Sequence, residues 1–241
     1  MRQPISQDGK LIAFMGLPCA GKSSVAKALG SLCNLPVFLE PEEDQWTDAV
    51  RLRDMSGYLT TITWFRSVRV PKLYQADKNR KMGQSSIVDS YYDKLLAYYL
   101  GKPGIEWLMQ PEDPYFQVMQ DLAELDLQRL PDADCVVALE VNQADWQTLL
   151  AKRNRNFDRS ANLADTHVTQ AYFIDAAIAF AARTGATLIH HKQTVSSPET
   201  AAQAILAQLI QEKVVTGMTD MPATLNGSRA YMTPDPLLTV C

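Results

Sequence analysis

Gly16-Leu17-Pro18-Cys19-Ala20-Gly21-Lys22-Ser23 meets every fixed position of the pattern G-x-x-x-x-G-K-[ST]. The chemistry of that spacing is specific. A loop joining a strand to a helix must bend so that successive backbone N–H groups converge on phosphate oxygens. Glycines tolerate the backbone angles this needs and let the phosphates come close. A helix that begins at Lys22 turns its positive end on the same anion. Lys22 then reaches the outer phosphates, and the Ser23 hydroxyl is placed to ligate Mg2+. Gly16, Pro18, Cys19, Ala20, Gly21, Lys22, Ser23 and the following Ser24 are therefore the expected nucleotide-binding set.

The flanks supply the context the pattern requires. Residues 11–15 are apolar and read as a buried strand. Residues 23–35 carry Val25, Ala28, Leu29 and Leu32 at helical spacing. Outward from there, 37–39, 85–88, 135–141 and 186–189 read as further strands. Helices are expected within 48–81 and over 91–100, 115–130, 146–155, 167–184 and 197–214. Strands that alternate with helices imply a parallel sheet covered on both faces. The strand runs are continuously apolar, as buried parallel strands are. The expected fold is a three-layer α/β/α P-loop domain over residues 1–215 with a sheet of about five strands. Residues 216–241 show no periodicity and read as an extended or disordered tail.

Composition narrows the function classes. The chain has 241 residues, 46% hydrophobic and 21% charged, with a formal net charge of −4. That balance argues against coating a nucleic-acid polymer, which draws on many cationic contacts. It leaves room for one small phosphorylated ligand. The four cysteines show no C-x-x-C spacing. No apolar run reaches the length of a membrane span, so a cytosolic protein is the expectation.

Beyond the loop, the order of motifs resembles the deoxynucleoside kinase and thymidylate kinase branch of the P-loop kinases. The second strand runs into Phe38-Leu39-Glu40-Pro41 with Trp46 downstream. In that branch a Glu-Pro with a following Trp stands here, which implies that Glu40 is the general base on the acceptor hydroxyl. The third strand ends at Val88-Asp89-Ser90-Tyr91-Tyr92, similar to the branch's Asp-Arg-Tyr signature. The resemblance implies that Asp89 joins Ser23 in holding Mg2+. Ser90 stands where the family has an arginine, so either another cation takes its place or the substrate differs. Arg66 and Arg69, beside Trp64 on a helix expected to border the acceptor pocket, are the candidates. Lys152 to Arg155 and then Arg159 look like the family's lid, over about 152–165, where Arg153 and Arg155 would grip the transferring phosphate. Tyr92 and its neighbours Tyr91, Tyr98 and Tyr99 could stack on a base or fill the core.

The motif and the resemblance together imply an ATP- and Mg2+-dependent phosphotransferase acting on a nucleoside or similar small hydroxyl acceptor. Glu40, Lys22, Arg153 and Arg155 are its expected catalytic groups. Dimerisation is common in that family, which leaves a homodimer open here. Two alternatives stay open: a nucleoside monophosphate kinase, which would use the Arg66 and Arg69 region for the acceptor phosphate, and a nucleotide-binding module with little turnover. The choice between ATP and GTP is likewise open.

Overall fold

The structure is a computed structural model that describes residues 8–51, 53–153 and 163–215. Five strands form one parallel sheet in the order β2-β3-β1-β4-β5: β1 (Leu11–Gly16), β2 (Val37–Phe38), β3 (Ser86–Val88), β4 (Cys135–Val141) and β5 (Thr187–Gln193). Helix α1 (Lys22–Cys33) follows β1. Helices α2 (Glu43–Arg51) and α3 (Arg53–Lys81) link β2 to β3, and α4 (Tyr92–Leu95) and α5 (Phe116–Arg129) link β3 to β4. Helices α6 (Gln143–Arg153) and α7 (Gln170–Thr184) lead to β5, and α8 (Pro198–Gln211) follows it.

Period-two alternation along the strands divides the core. Leu11, Ala13 and Met15 of β1, with Val136 and Ala138 of β4, face Phe173, Ala177 and Phe180 of α7 and Met119 and Ala123 of α5. Ile12 and Phe14, with Val137 and Leu139, face Val25 and Leu29 of α1 and Ala202, Ile205 and Leu209 of α8. The expected three layers are present, with five strands in the sheet.

Three departures have local causes. The helix expected over 91–100 shrinks to α4 and a 3-10 turn at Leu96–Tyr98. There the Tyr99 hydroxyl donates back to the Tyr92 carbonyl at 3.0 Å. The helix expected from 167 starts only at Gln170, after a 3-10 segment at Leu163–Thr169. The Gln170 amide pairs with both backbone groups of Val141, at 2.8 and 3.0 Å, completing the end of β4. Strand β5 runs four residues past 189, because its register with β4 continues to Val141↔Gln193. Helix α3 is interrupted at Gly57, whose φ of 81° is outside the helical region. The expected tail at 216–241 and most of the expected lid, including Arg155 and Arg159, lie outside the described residues. Among the described residues no helix is long and apolar enough to cross a membrane.

Candidate active site

The phosphate-type loop sits at the carboxyl end of β1, at the centre of the sheet, where open α/β sheets bind ligands. Gly16 passes so close to β4 that a Cβ there would lie 2.7 Å from the Leu139 carbonyl oxygen. Gly21, at φ 85°, is the N-cap of α1 and brings no side chain to cap it, so the first N–H groups of that helix are open to an anion. Cys19 takes a left-handed φ of 66°, unusual for a residue with a Cβ. The loop is fastened from outside: Trp146 Nε1 of α6 donates to the Pro18 carbonyl at 2.9 Å, and Arg153 Nη1 donates to Cys19 Sγ at 2.7 Å.

Lys22 is 5% exposed, and its ammonium donates to the carbonyls of Gly16 (3.3 Å) and Leu17 (2.8 Å) and to the Tyr92 hydroxyl (2.7 Å). The Tyr92 hydroxyl in turn donates to the Gly16 carbonyl at 2.7 Å. Burial pulls the Lys22 pKa down, against the opposing pull of Glu40 and Asp89. A polyphosphate beside it would add counter-charge and favour the ammonium form.

Ser23 Oγ donates to Asp89 Oδ2 at 2.6 Å, and the backbone N–H of Glu40 approaches the same oxygen at 3.3 Å. Asp89 is fully buried and its Oδ1 has no partner among the described residues. Burial, then the nearby Glu40, push its pKa up, while Lys22 and the Ser23 hydrogen bond oppose that. A hydroxyl next to a carboxylate with an unused oxygen, beside a phosphate loop, fits Mg2+. That ion takes one or two carboxylates and completes its shell with water and phosphate. Among the described residues no group of three or more His, Cys, Asp or Glu offers a fuller protein cage.

A cleft of about 970 Å³ runs from this loop past Glu40 to α3. On α3 the cleft is lined by Thr61, Ile62, Phe65 and Arg69, whose three- and four-residue steps share one helical face. Arg69 forms two parallel bonds to Asp93, at 2.8 and 2.9 Å, and a third to Glu40 at 3.3 Å. Burial works against the charge on Arg69, but Asp93 and Glu40 together raise its pKa. Trp46 and Tyr92 line the same cleft.

Two expected substrate residues lie elsewhere. Arg66 is one position off the cleft-facing stripe, and its guanidinium grips Asp126 of α5 at 2.6 and 2.7 Å. Trp64, also off the stripe, packs edge-on against Phe65 at 5.0 Å between ring centres. Both are absent from the cleft lining. Tyr91 is core: its hydroxyl donates to the Pro131 carbonyl and accepts from the Ala133 N–H, both at 2.8 Å. Ala20 is buried beneath the loop. Three groups escaped the sequence reading. Asp93 and Trp107 line the cleft, and the Lys72 ammonium donates to the Leu39 carbonyl at 2.6 Å, just before Glu40. No local pattern marks them, because each acts through a partner at least two dozen residues away or on another element.

By sequence, no protein-family model and no curated protein matches the chain. Solved structures do match. A deoxyadenosine kinase from M. mycoides with bound dATP aligns with TM-score 0.59 at 16% identity, over 83% of this chain and 98% of that one. The same kinase with products dCMP and dCDP gives 0.56 at 16% identity, over 83% and 99%. A thymidylate kinase from Candida albicans gives 0.60 at 16% identity, over 86% and 93%. The sheet order, the loop at its centre and this likeness together establish that the chain has the P-loop fold shared by the deoxyadenosine and thymidylate kinases.

Proposed function

We propose that the chain is a kinase that transfers the γ-phosphate of ATP, with Mg2+, to a hydroxyl of a nucleoside or similar small acceptor. The observation that carries this reading is the charge order on the β2–β3 side of the cleft. Glu40 and Asp89 are neighbouring carboxylates there. The cation between them and α3, Arg69, already lies between Glu40 and Asp93. An acceptor phosphate would be set against these two carboxylates, with Arg69 already committed to Glu40 and Asp93. A neutral hydroxyl suits the place, since Glu40 can take its proton.

In the transfer, the acceptor oxygen attacks the γ-phosphorus as its proton passes to Glu40, and the bond to the β–γ bridging oxygen breaks to release ADP. Lys22 leaves the Gly16 and Leu17 carbonyls and holds the outer phosphate oxygens. The N–H groups at the start of α1 receive charge that builds up on the chain. Arg153, at the end of α6 and against Cys19, approaches the phosphates from the opposite wall. Arg155 and Arg159 follow it in sequence and complete that basic segment in this reading. Ser23 and Asp89 would hold the Mg2+, which offsets negative charge on the β- and γ-phosphates. Arg69 takes the part of the arginine missing at position 90, keeping Glu40 oriented.

The test is ATP consumption against matched nucleosides and nucleoside monophosphates, with Glu40→Gln alongside. Turnover with nucleosides that falls sharply in Glu40→Gln is the expected result. Turnover confined to monophosphates, and indifferent to Glu40→Gln, overturns the hydroxyl-acceptor reading.

A further inference from the structure

Trp107 stands in the turn-rich segment between the 3-10 turn at Leu96–Tyr98 and α5, and it lines the cleft. Its indole Nε1 is buried and has no hydrogen-bond partner among the described residues. An indole nitrogen can only donate, and buried donors without a partner are rare in folded proteins. The Trp107 carbonyl accepts from Arg53 Nη1 at 3.4 Å, and the Arg53 guanidinium lies over the Tyr58 ring at 5.1 Å. A neutral donor and a cation are thus brought to the same end of the cleft.

The rest of the cleft gives that end its direction. Along α3 the wall passes from Thr61 through Ile62 and Phe65 to Arg69, about 12 Å along the helix axis for eight residues. Arg69 marks the reacting end, beside Glu40. The carboxylates and carboxamide that line the cleft are committed or placed elsewhere. Both oxygens of Asp93 are taken by Arg69, and Glu42 pairs with Lys27 at 3.7 Å. Gln193 lies across the loop beside Gly21, on the β5 side. Among the described residues lining the cleft, no carboxylate or carboxamide oxygen is left at the Trp107 end to accept from an exocyclic amine.

We propose that the acceptor carries an oxo oxygen at the end remote from its reacting hydroxyl, as a 4-oxo pyrimidine or 6-oxo purine nucleoside does, and that the Trp107 indole N–H receives it beside Arg53. This rests on the kinase reading of the cleft and adds the chemical class of the acceptor. An amino group at the same position would turn its hydrogens on a donor and a cation, which is a basis for rejection as well as preference.

The experiment compares kcat/KM for pairs that differ only at that atom: 4-oxo against 4-amino pyrimidine deoxynucleosides, and 6-oxo against 6-amino purine deoxynucleosides. It uses the full chain with saturating ATP and Mg2+. The wild-type protein is expected to favour the oxo member by on the order of tenfold to a hundredfold, as one well-placed hydrogen bond allows. Trp107→Phe, which keeps an aromatic ring and removes the donor, should bring that ratio toward one, mainly through KM for the oxo member. Preference for the amino member, or a ratio that Trp107→Phe does not move, overturns the inference and leaves the kinase reading standing. If neither member is phosphorylated while ATP binds, both fall. The wild-type comparison needs no variant, so a poorly folding Trp107→Phe does not remove the test.

Discussion

The two halves of the cleft are built on different plans. On the β1–β4–β5 side, the groups that line the loop come from one unbroken stretch, residues 16 to 24, stiffened by Trp146 and Arg153. Their open valences are mostly donors. On the β2–β3 side, the groups come from four separate elements, and their valences are largely spent on each other in the chain Glu40–Arg69–Asp93. One half waits for an anion, and the other already sets two carboxylates on one guanidinium. In the proposed reaction, that asymmetry would carry a phosphate from the first half toward a neutral oxygen in the second.

The largest expected effect falls on the donor half. Lys22→Ala should lower the rate of phosphoryl transfer on the order of a thousandfold, measured in single turnover with saturating nucleotide. A residual rate within tenfold of wild type would break the division of labour between the halves. Next comes the proposed base. Glu40→Gln should lower kcat by roughly a hundredfold to ten-thousandfold with a nucleoside acceptor while ATP binding, followed by titration, stays close to wild type.

The ion-paired half is probed by removing one partner at a time. Arg69→Met leaves Asp93, 6% exposed, as an uncompensated carboxylate and should cost about 3–5 kcal/mol of stability in denaturant unfolding. Arg69→Met with Asp93→Leu should recover much of that loss without recovering activity. Equal losses in the single and double variants would show that the pair is not one electrostatic unit. Arg66→Met makes the matched control: it should destabilise the protein through Asp126 and leave KM for the acceptor near its wild-type value.

A smaller effect has a definite sign. Asp89 has a folded pKa raised above its ordinary 3.8, burial being the main cause. In the pH range above 3.8 and up to its folded pKa, the native state holds a proton that the unfolded chain has lost. Stability contributed by this group therefore falls as pH rises through that range. Asp89→Asn should raise the melting temperature by a few degrees at neutral pH and by less near pH ~4, while slowing transfer. A lower melting temperature at neutral pH would mean that the Ser23 and Glu40 hydrogen bonds outweigh the burial cost.

The same asymmetry sets what the sequence could reveal. The loop from Gly16 to Ser24 was legible because its chemistry depends on near neighbours in the chain, and so were the strands, whose apolar runs are local. Glu40 and Asp89 stand out in the sequence through the family resemblance, and the structure sets both at strand ends beside the loop. Arg69 could not be separated from Arg66 by sequence, since both lie on one helix and only packing decides which points at Glu40 and which at Asp126. Asp93 was read as part of a longer helix, and nothing local ties it to a guanidinium 24 residues earlier. Trp107 sits among glycines and prolines that mark a turn and say nothing of its buried N–H.

The Tyr92 hydroxyl touches both halves, accepting from Lys22 and donating to Gly16 on one side while its ring borders the acceptor cleft on the other. In the proposed reaction, a γ-phosphate that draws Lys22 away would take one of the two tethers of Tyr92 and leave its ring freer to settle against an acceptor. Linkage is reciprocal, so an acceptor that settles that ring makes it easier for Lys22 to leave. Under that proposal the two substrates should bind synergistically, each tightening the other by the same factor.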